Sequence, residues 1–291
     1  MSATTVDMTE FELTDFNGDH DFDSDIHIVA PQGSAGFVAT MLSVAGRTLR
    51  KFVRSPQLIV LGTVQGAMFL LIFRYVFGGN MQPGEVPYVD LLVPGFVVGS
   101  VLFGGMMTAA GVAEDMEQGF FDRLRSLPVS RTALVAGRAV ADTGVLAWTL
   151  AVTAGVGFLV GFRIHGSPTE ALAAFGLCLI FGFAFVWLFV VMGLVAGTAQ
   201  GAQGMSMLVF PLTFVSSAYV PVGSMPGWMQ PIANNQPVTA MVNAVRSLVL
   251  GDPSLAGLSR STGHYVVVAL AWSLGLVLVF APIAVARYRR S

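Results

Sequence analysis

Six stretches of this chain stay apolar for about the length needed to cross a bilayer, and that feature leaves few folds open. A helix rising about 1.5 Å per residue needs about 20 mostly apolar residues to traverse the hydrocarbon layer. Segments 57–77, 89–113, 132–161, 171–197, 205–220 and 263–286 meet or approach that requirement. Only 11% of the 291 residues are charged, against 54% hydrophobic. A soluble domain carries about 25% charged residues, so the chain has too few to solvate a globular surface. The expectation is an all-α integral membrane protein with six transmembrane helices over residues 56–291. The fifth segment is the shortest and holds Pro211, which predicts a kinked span rather than two half-spans.

Residues 1–35 differ from the rest. Eight of the seventeen acidic residues precede Ile26, in a segment without an apolar run or a basic start. This is the composition of an acidic, disordered cytosolic tail rather than a signal peptide. The single cysteine, Cys178, has no intrachain partner, and the four histidines are dispersed, so neither a disulfide nor a metal cluster is expected.

Arginine placement sets an orientation. With the N-terminus inside, the cytosolic segments hold Arg47, Arg50, Lys51, Arg54, Arg123, Arg125, Arg131, Arg138, Arg287, Arg289 and Arg290. The other side receives Arg163, Arg246 and Arg260, with Arg74 near the outer end of the first span. The bias favours the cytoplasmic membrane with both termini cytosolic.

Ahead of the first span, residues 36–55 predict an amphipathic helix. Val38, Met41, Leu42, Ala45, Leu49 and Phe52 recur at helical spacing, and Arg47, Arg50, Lys51 and Arg54 fall opposite. Such a helix is expected to lie in the cytosolic interface, its cations toward anionic headgroups, until Ser55-Pro56 breaks it. Small residues four apart, such as Gly62/Gly66, Gly95/Gly99, Gly157/Gly161, Gly193/Gly197 and Ala147/Ala151/Gly155, predict close helix packing.

Chemistry-bearing residues are sparse. Asp142 is the one carboxylate well inside a predicted span, and Arg138 four residues before it predicts a local pair rather than an ion pathway. A proton- or sodium-coupled carrier keeps a carboxylate near the midplane, so a secondary carrier is the weaker reading, alongside a non-transporting scaffold. The lone lysine, Lys51, lies outside any Gly-Lys-Ser/Thr loop, so no nucleotide-binding motif is present. No set of side chains suggests catalysis, and no basic domain suggests nucleic-acid binding. Residues 114–131 combine early acids, later basic residues and a Phe120/Phe121/Leu124/Leu127 stripe ended by Pro128, the pattern of a short amphipathic helix.

That segment carries a resemblance. Glu117, Gly119, Arg123, Leu124 and Pro128, followed by Val129-Ser130-Arg131 and preceded by a span opening Val93-Pro94-Gly95, resemble the membrane subunit of ABC-2-type transporters. The likeness points toward the daunorubicin-resistance-type permeases of actinobacteria. A second, more degenerate block runs from Met225-Pro226-Gly227-Trp228 through Asn235-Gln236-Pro237 to Arg246 and Gly251. The resemblance implies that Glu117 to Pro128 form the coupling helix seated in a separate ATPase subunit. It makes Phe37 to Arg54 the connecting helix and residues 221–261, with Trp228, Asn235, Pro237, Arg246 and Gly251, a re-entrant block on the outer side. Asn235 is expected to cap a helix of about 14 residues that begins near Pro237 and ends at Gly251. The implied protein is the permease of an ATP-driven exporter, in the exporter fold that such subunits share. It holds no cofactor itself, with ATP and magnesium on the partner ATPase. It pairs with a second copy or a paralogous permease, contacts membrane lipids, and moves a hydrophobic drug or complex envelope lipid. Gln65 and Thr108 are candidate polar points along an apolar pathway.

Overall fold

The computed structural model describes residues 36–77, 87–119 and 131–290, which are helices joined by turns and short irregular stretches. The expected acidic tail at 1–35 therefore lies outside the described residues, as do Arg123, Leu124 and Pro128. Ten α-helices follow in order among the described residues. They are α1 (Phe37–Arg54), α2 (Pro56–Ile72), α3 (Tyr88–Glu117), α4 (Arg131–Leu159) and α5 (Pro168–Ala196). After them come α6 (Ala199–Ser206), α7 (Phe210–Phe214), α8 (Gln230–Asn234), α9 (Pro237–Leu250) and α10 (Thr262–Arg290).

Four of these, α3, α4, α5 and α10, are long and apolar enough to cross a membrane. The protein is an all-helical membrane protein in which shorter apolar helices complete the bundle. The long helices coincide with four of the six expected spans. Another expected span, 57–77, is α2 continued by a π-turn at Phe73–Phe77. Ser55 breaks α1 from α2 as expected, with Pro56 in the first turn of α2, where its missing N–H costs nothing.

The remaining span is corrected. Helical conformation starts earlier than expected, at Ala199, passes through a 3₁₀ turn at Met207–Val209 just before Pro211, and ends at Phe214. Sixteen residues reach only about 24 Å, short of the hydrocarbon thickness. Residues 215–220 then continue as turns rather than helix. Pro211 lacks the N–H that would bond backward, which favours the tighter turn ahead of it. What unwinds the chain after Phe214 is a set of side chains on another helix, described below.

α3 and α5 form the centre. Phe181, Phe185 and Phe189 project from α5 and are essentially fully buried. α10 lies at the periphery, with Val267, Leu274, Leu278 and Val279 more than half exposed, as suits a helix facing lipid. α5 is well delimited. Ser167 and Glu170 form a reciprocal capping box at its start, and Gly197 closes it in the left-handed region at φ 70°. Ser167→Ala is expected to cost about 1 kcal/mol and lower the apparent melting temperature by roughly 3 °C. A thiol-reactive fluorophore, which reaches buried Cys178 only on unfolding, measures this. An unchanged melting curve would show that the box does not hold the helix.

Candidate functional site

Two polar assemblies occupy opposite ends of the bundle. At the first end α1 packs along α4. The backbone of Met41 and the side chain of Val44 lie over Gly137, and Leu49 lies over Gly144. This divides the apolar face expected of α1. Thr40 and Ala45 are buried in the bundle, whereas Val38, Leu42 and Val53 are more than half exposed. α1 thus has three faces: one against protein, one apolar and outward, and one charged.

The charged face is itself divided. Arg50 and Arg54 are exposed, while Arg47 and Lys51 line a cavity of about 290 Å³ between α1, α3, α4 and the start of α6. Lys51 reaches Glu114 at 3.4 Å, both side chains about half exposed. A pair so solvated contributes at most about 1 kcal/mol. Thr108 also lines the cavity. The side chain of Gln65 lies outside the described residues.

Deeper in the same cavity sits a stronger assembly. Arg138 donates from Nε to Asp142 at 2.9 Å, and from Nη1 to Asp115 and to the Gly111 carbonyl. The side chains of Arg138, Asp115 and Asp142 are 13%, 10% and 7% exposed. The expected i,i+4 pair on α4 is present, but it is half of a bridge between helices. Gly111 makes the bridge possible, because a Cβ there would collide with the guanidinium. Asp115 carried no signal in the sequence, being one of three acids in Glu114-Asp115-Met116-Glu117; only the packing of α3 on α4 selects it.

The segment expected as a separate coupling helix begins differently. Glu114 to Glu117 are the last turn of α3, with Glu117 exposed, and Gln118-Gly119 turn the chain away at Gly119 φ 63°. α3 runs on past its apolar stretch because nothing breaks it before Gly119. Residues 120–130 lie outside the described residues.

The second assembly is a polar stripe on α9. Gln236, Thr239, Asn243 and Arg246 recur at i, i+3, i+7 and i+10, one face of a helix. Each bonds α7 or the turns that follow it, Asn243 through the Ser217 side chain and the other three through backbone. Gln236 donates to the carbonyls of Leu212, at 2.9 Å, and Val215. Thr239 Oγ1 accepts from the Ser217 N–H at 3.2 Å, and Asn243 Oδ1 accepts from the Ser217 hydroxyl at 3.0 Å. Arg246 donates to the Leu91 carbonyl on α3 at 2.8 Å and to the Ala218 carbonyl at 3.2 Å. Non-helical backbone persists inside a membrane protein where such partners satisfy it. Gly95 on α3 completes the arrangement, since a Cβ there would overlap the Ala218 carbonyl.

The other residues of this block take structural places. Asn235 does not cap α9. Its side chain donates to the Pro231 carbonyl, closing α8, and the N-cap position belongs to Gln236, whose side chain is turned to α7. Pro237 opens α9 and Gly251 closes it at φ 74°, as expected. Trp228 is 71% exposed. Nearby, Asp90 accepts from the Arg163 N–H at 2.9 Å, and the N–H groups of His165 and Gly166 both cap the Val249 carbonyl. The stripe on α9 was open to sequence reading, being four polar residues on one face of an apolar helix, but its purpose was not. Among the described residues no group of His, Cys, Asp and Glu is assembled to hold a metal.

An amphipathic helix packed along α4, four long apolar helices and a short helix bracing an unwound segment make up the bundle. Residues 40–250 match the family described as ABC-2 type transporter, and the chain belongs to that family. It is 33% identical to a daunorubicin resistance ABC transporter permease, DrrB1, of Streptomyces coeruleorubidus, over 87% of both chains. It is 26% identical to a probable doxorubicin resistance ABC transporter permease, DrrC, of Mycobacterium tuberculosis, over 88% of this chain and 90% of the other. A probable multidrug ABC transporter permease of Escherichia coli, YbhR, matches 60% of this chain at 25% identity. The chain is a permease subunit, without an ATPase domain, and the carrier and scaffold readings give way to that membership.

Proposed function

We propose that this permease, driven by a separate ABC ATPase, exports a hydrophobic or amphiphilic substrate across the cytoplasmic membrane. The observation that carries the reading is the α1 end of the bundle. There an amphipathic helix, a cavity and an interhelical ion bridge gather at the root of the loop between α3 and α4. The arginine bias supports placing that end, and both termini, in the cytosol. The chain then crosses six times, through α2, α3, α4, α5, the α6–α7 segment with its unwound continuation, and α10. α8 and α9 form the re-entrant block facing out, because α9 with 14 residues is too short to cross.

In this arrangement Glu117, Gly119, Arg123, Leu124 and Pro128 seat in the ATPase, which holds ATP and magnesium. Arg50 and Arg54 meet anionic headgroups. Two permeases, identical or paralogous, enclose the pathway. The names of the DrrB1 and DrrC relatives support an amphiphilic drug as cargo, and a complex envelope lipid is the second candidate.

The test is co-purification with an ABC ATPase, followed by daunorubicin-stimulated ATP hydrolysis in lipid vesicles. Reversing both charges, Glu117→Arg with Arg123→Glu, is expected to abolish the stimulation and leave the permease folded. Undiminished assembly, stimulation and export in that variant would remove the coupling role from this loop. A leaflet-resolved lipid comparison between deleted and complemented cells separates lipid cargo from drug.

A further inference from the structure

The α3–α4 ion bridge ties the two helices that flank residues 118–130, and this bears on how force enters the bundle. Residues 118–130 leave α3 three residues after Asp115 and rejoin α4 seven residues before Arg138. Arg138 holds Asp115 and the Gly111 carbonyl on the outgoing arm, and Asp142 on the returning arm. Two untied helices would absorb a push on the segment joining them by splaying apart. Here the ends are tied by charge-assisted hydrogen bonds from one planar guanidinium, in surroundings little exposed to water. The packing of α1 over Gly137, one residue from Arg138, joins a third element to the same point. The exposed Lys51–Glu114 pair is too weak to serve this purpose.

We infer that Arg138 is a positioning residue for energy coupling. Its bridge makes the roots of α3 and α4 one lever, so that displacement of the loop moves both helices together. The inference rests on the exporter reading above. It predicts separation of two quantities that a packing defect would lower together: ATP hydrolysis by the complex, and substrate moved per ATP hydrolysed.

Simple loss of Arg138 would strand two buried carboxylates and risks misfolding. The informative variant is therefore the neutral triple change Arg138→Met, Asp115→Asn, Asp142→Asn, which removes the bridge without leaving an unpaired charge. Arg138→Lys is its companion; it keeps the charge but donates from a single nitrogen, where the guanidinium donates from two, Nε to Asp142 and Nη1 to Asp115. The complete permease–ATPase complex, in phosphatidylethanolamine–phosphatidylglycerol vesicles, is assayed for ATP hydrolysis and daunorubicin movement. The triple variant is expected to hydrolyse ATP within about twofold of wild type. Its daunorubicin moved per ATP should fall by about tenfold, the size of a single coupling interaction. Arg138→Lys is expected to lie between. An unchanged ratio in both variants overturns the inference and leaves the exporter reading standing. So does a parallel fall in both quantities, which marks the bridge as packing alone. A triple variant that fails to assemble leaves the decision to Arg138→Lys, whose ratio must fall. A wild-type complex that hydrolyses ATP without moving daunorubicin overturns the drug-export reading and the inference with it.

Discussion

Arg246→Met is expected to lower the apparent melting temperature of the detergent-solubilised permease by roughly 10 °C. The effect follows from what the guanidinium holds. Its two carbonyl partners, on Leu91 and Ala218, belong to different segments, and the Ala218 carbonyl, in the turns after α7, has no backbone donor. Each hydrogen bond from a charged donor contributes about 1.5–3 kcal/mol, and its removal leaves the acceptor desolvated. Together they amount to about 3 kcal/mol or more. Arg246→Lys, whose donors sit on one nitrogen rather than in a spread fork, is expected to recover about half of the loss. Fluorophore labelling of Cys178 during heating measures both variants. If methionine proves as stable as arginine, the unwound segment is held by packing rather than by this stripe.

The second large effect is expected at Gly95. A Cβ built there overlaps the Ala218 carbonyl, and the obstacle is backbone, which cannot rotate aside. Gly95→Val must therefore push residues 215–220 off α3, breaking the Arg246–Ala218 contact as well. Overpacking alone costs about 1–3 kcal/mol, and losing the attached hydrogen bonds adds to it. Little monodisperse protein is expected on size-exclusion chromatography. Gly155→Val is the control, since nothing lies within 4 Å of a Cβ at that position. It should elute as wild type does, because the β-branched residue meets no neighbour. Equal yields from the two variants would show that the close approach at Gly95 is dispensable.

The two variants bear on one feature, the unwound chain beyond α7, and that feature is where sequence reading met its limit. Pro211 predicted an irregularity in the helix, and a 3₁₀ turn stands just before it. Helix propensity then read onward through apolar residues to Val220, because nothing within that stretch opposes a helix. The opposition comes from α9, more than twenty residues later, whose polar side chains take the carbonyls of Leu212, Val215 and Ala218. Asn235 failed as a cap for a related reason. Local spacing places it correctly for one, but α8 claims its side chain and Gln236 is drawn to α7.

At the other end, the amphipathic period of α1, the break at Ser55-Pro56 and the i,i+4 pair of Arg138 with Asp142 were all legible locally. Asp115 was not, because its role depends on which face α3 turns toward α4. Within one α-helix the spacing of residues fixes which side chains share a face. It does not say which neighbour that face will meet.

The sequence by itself therefore determined the membrane class, the family and the four long helices able to cross. Runs of apolar residues must leave water as helices, since lipid offers the backbone no other partner. Tertiary structure alone decided that α1 turns Arg47 and Lys51 into a cavity, that Arg138 bridges two helices, and that the chain after α7 unwinds against α9. Each of these is a contact between residues far apart in the chain, and its energy exists only once the helices have packed.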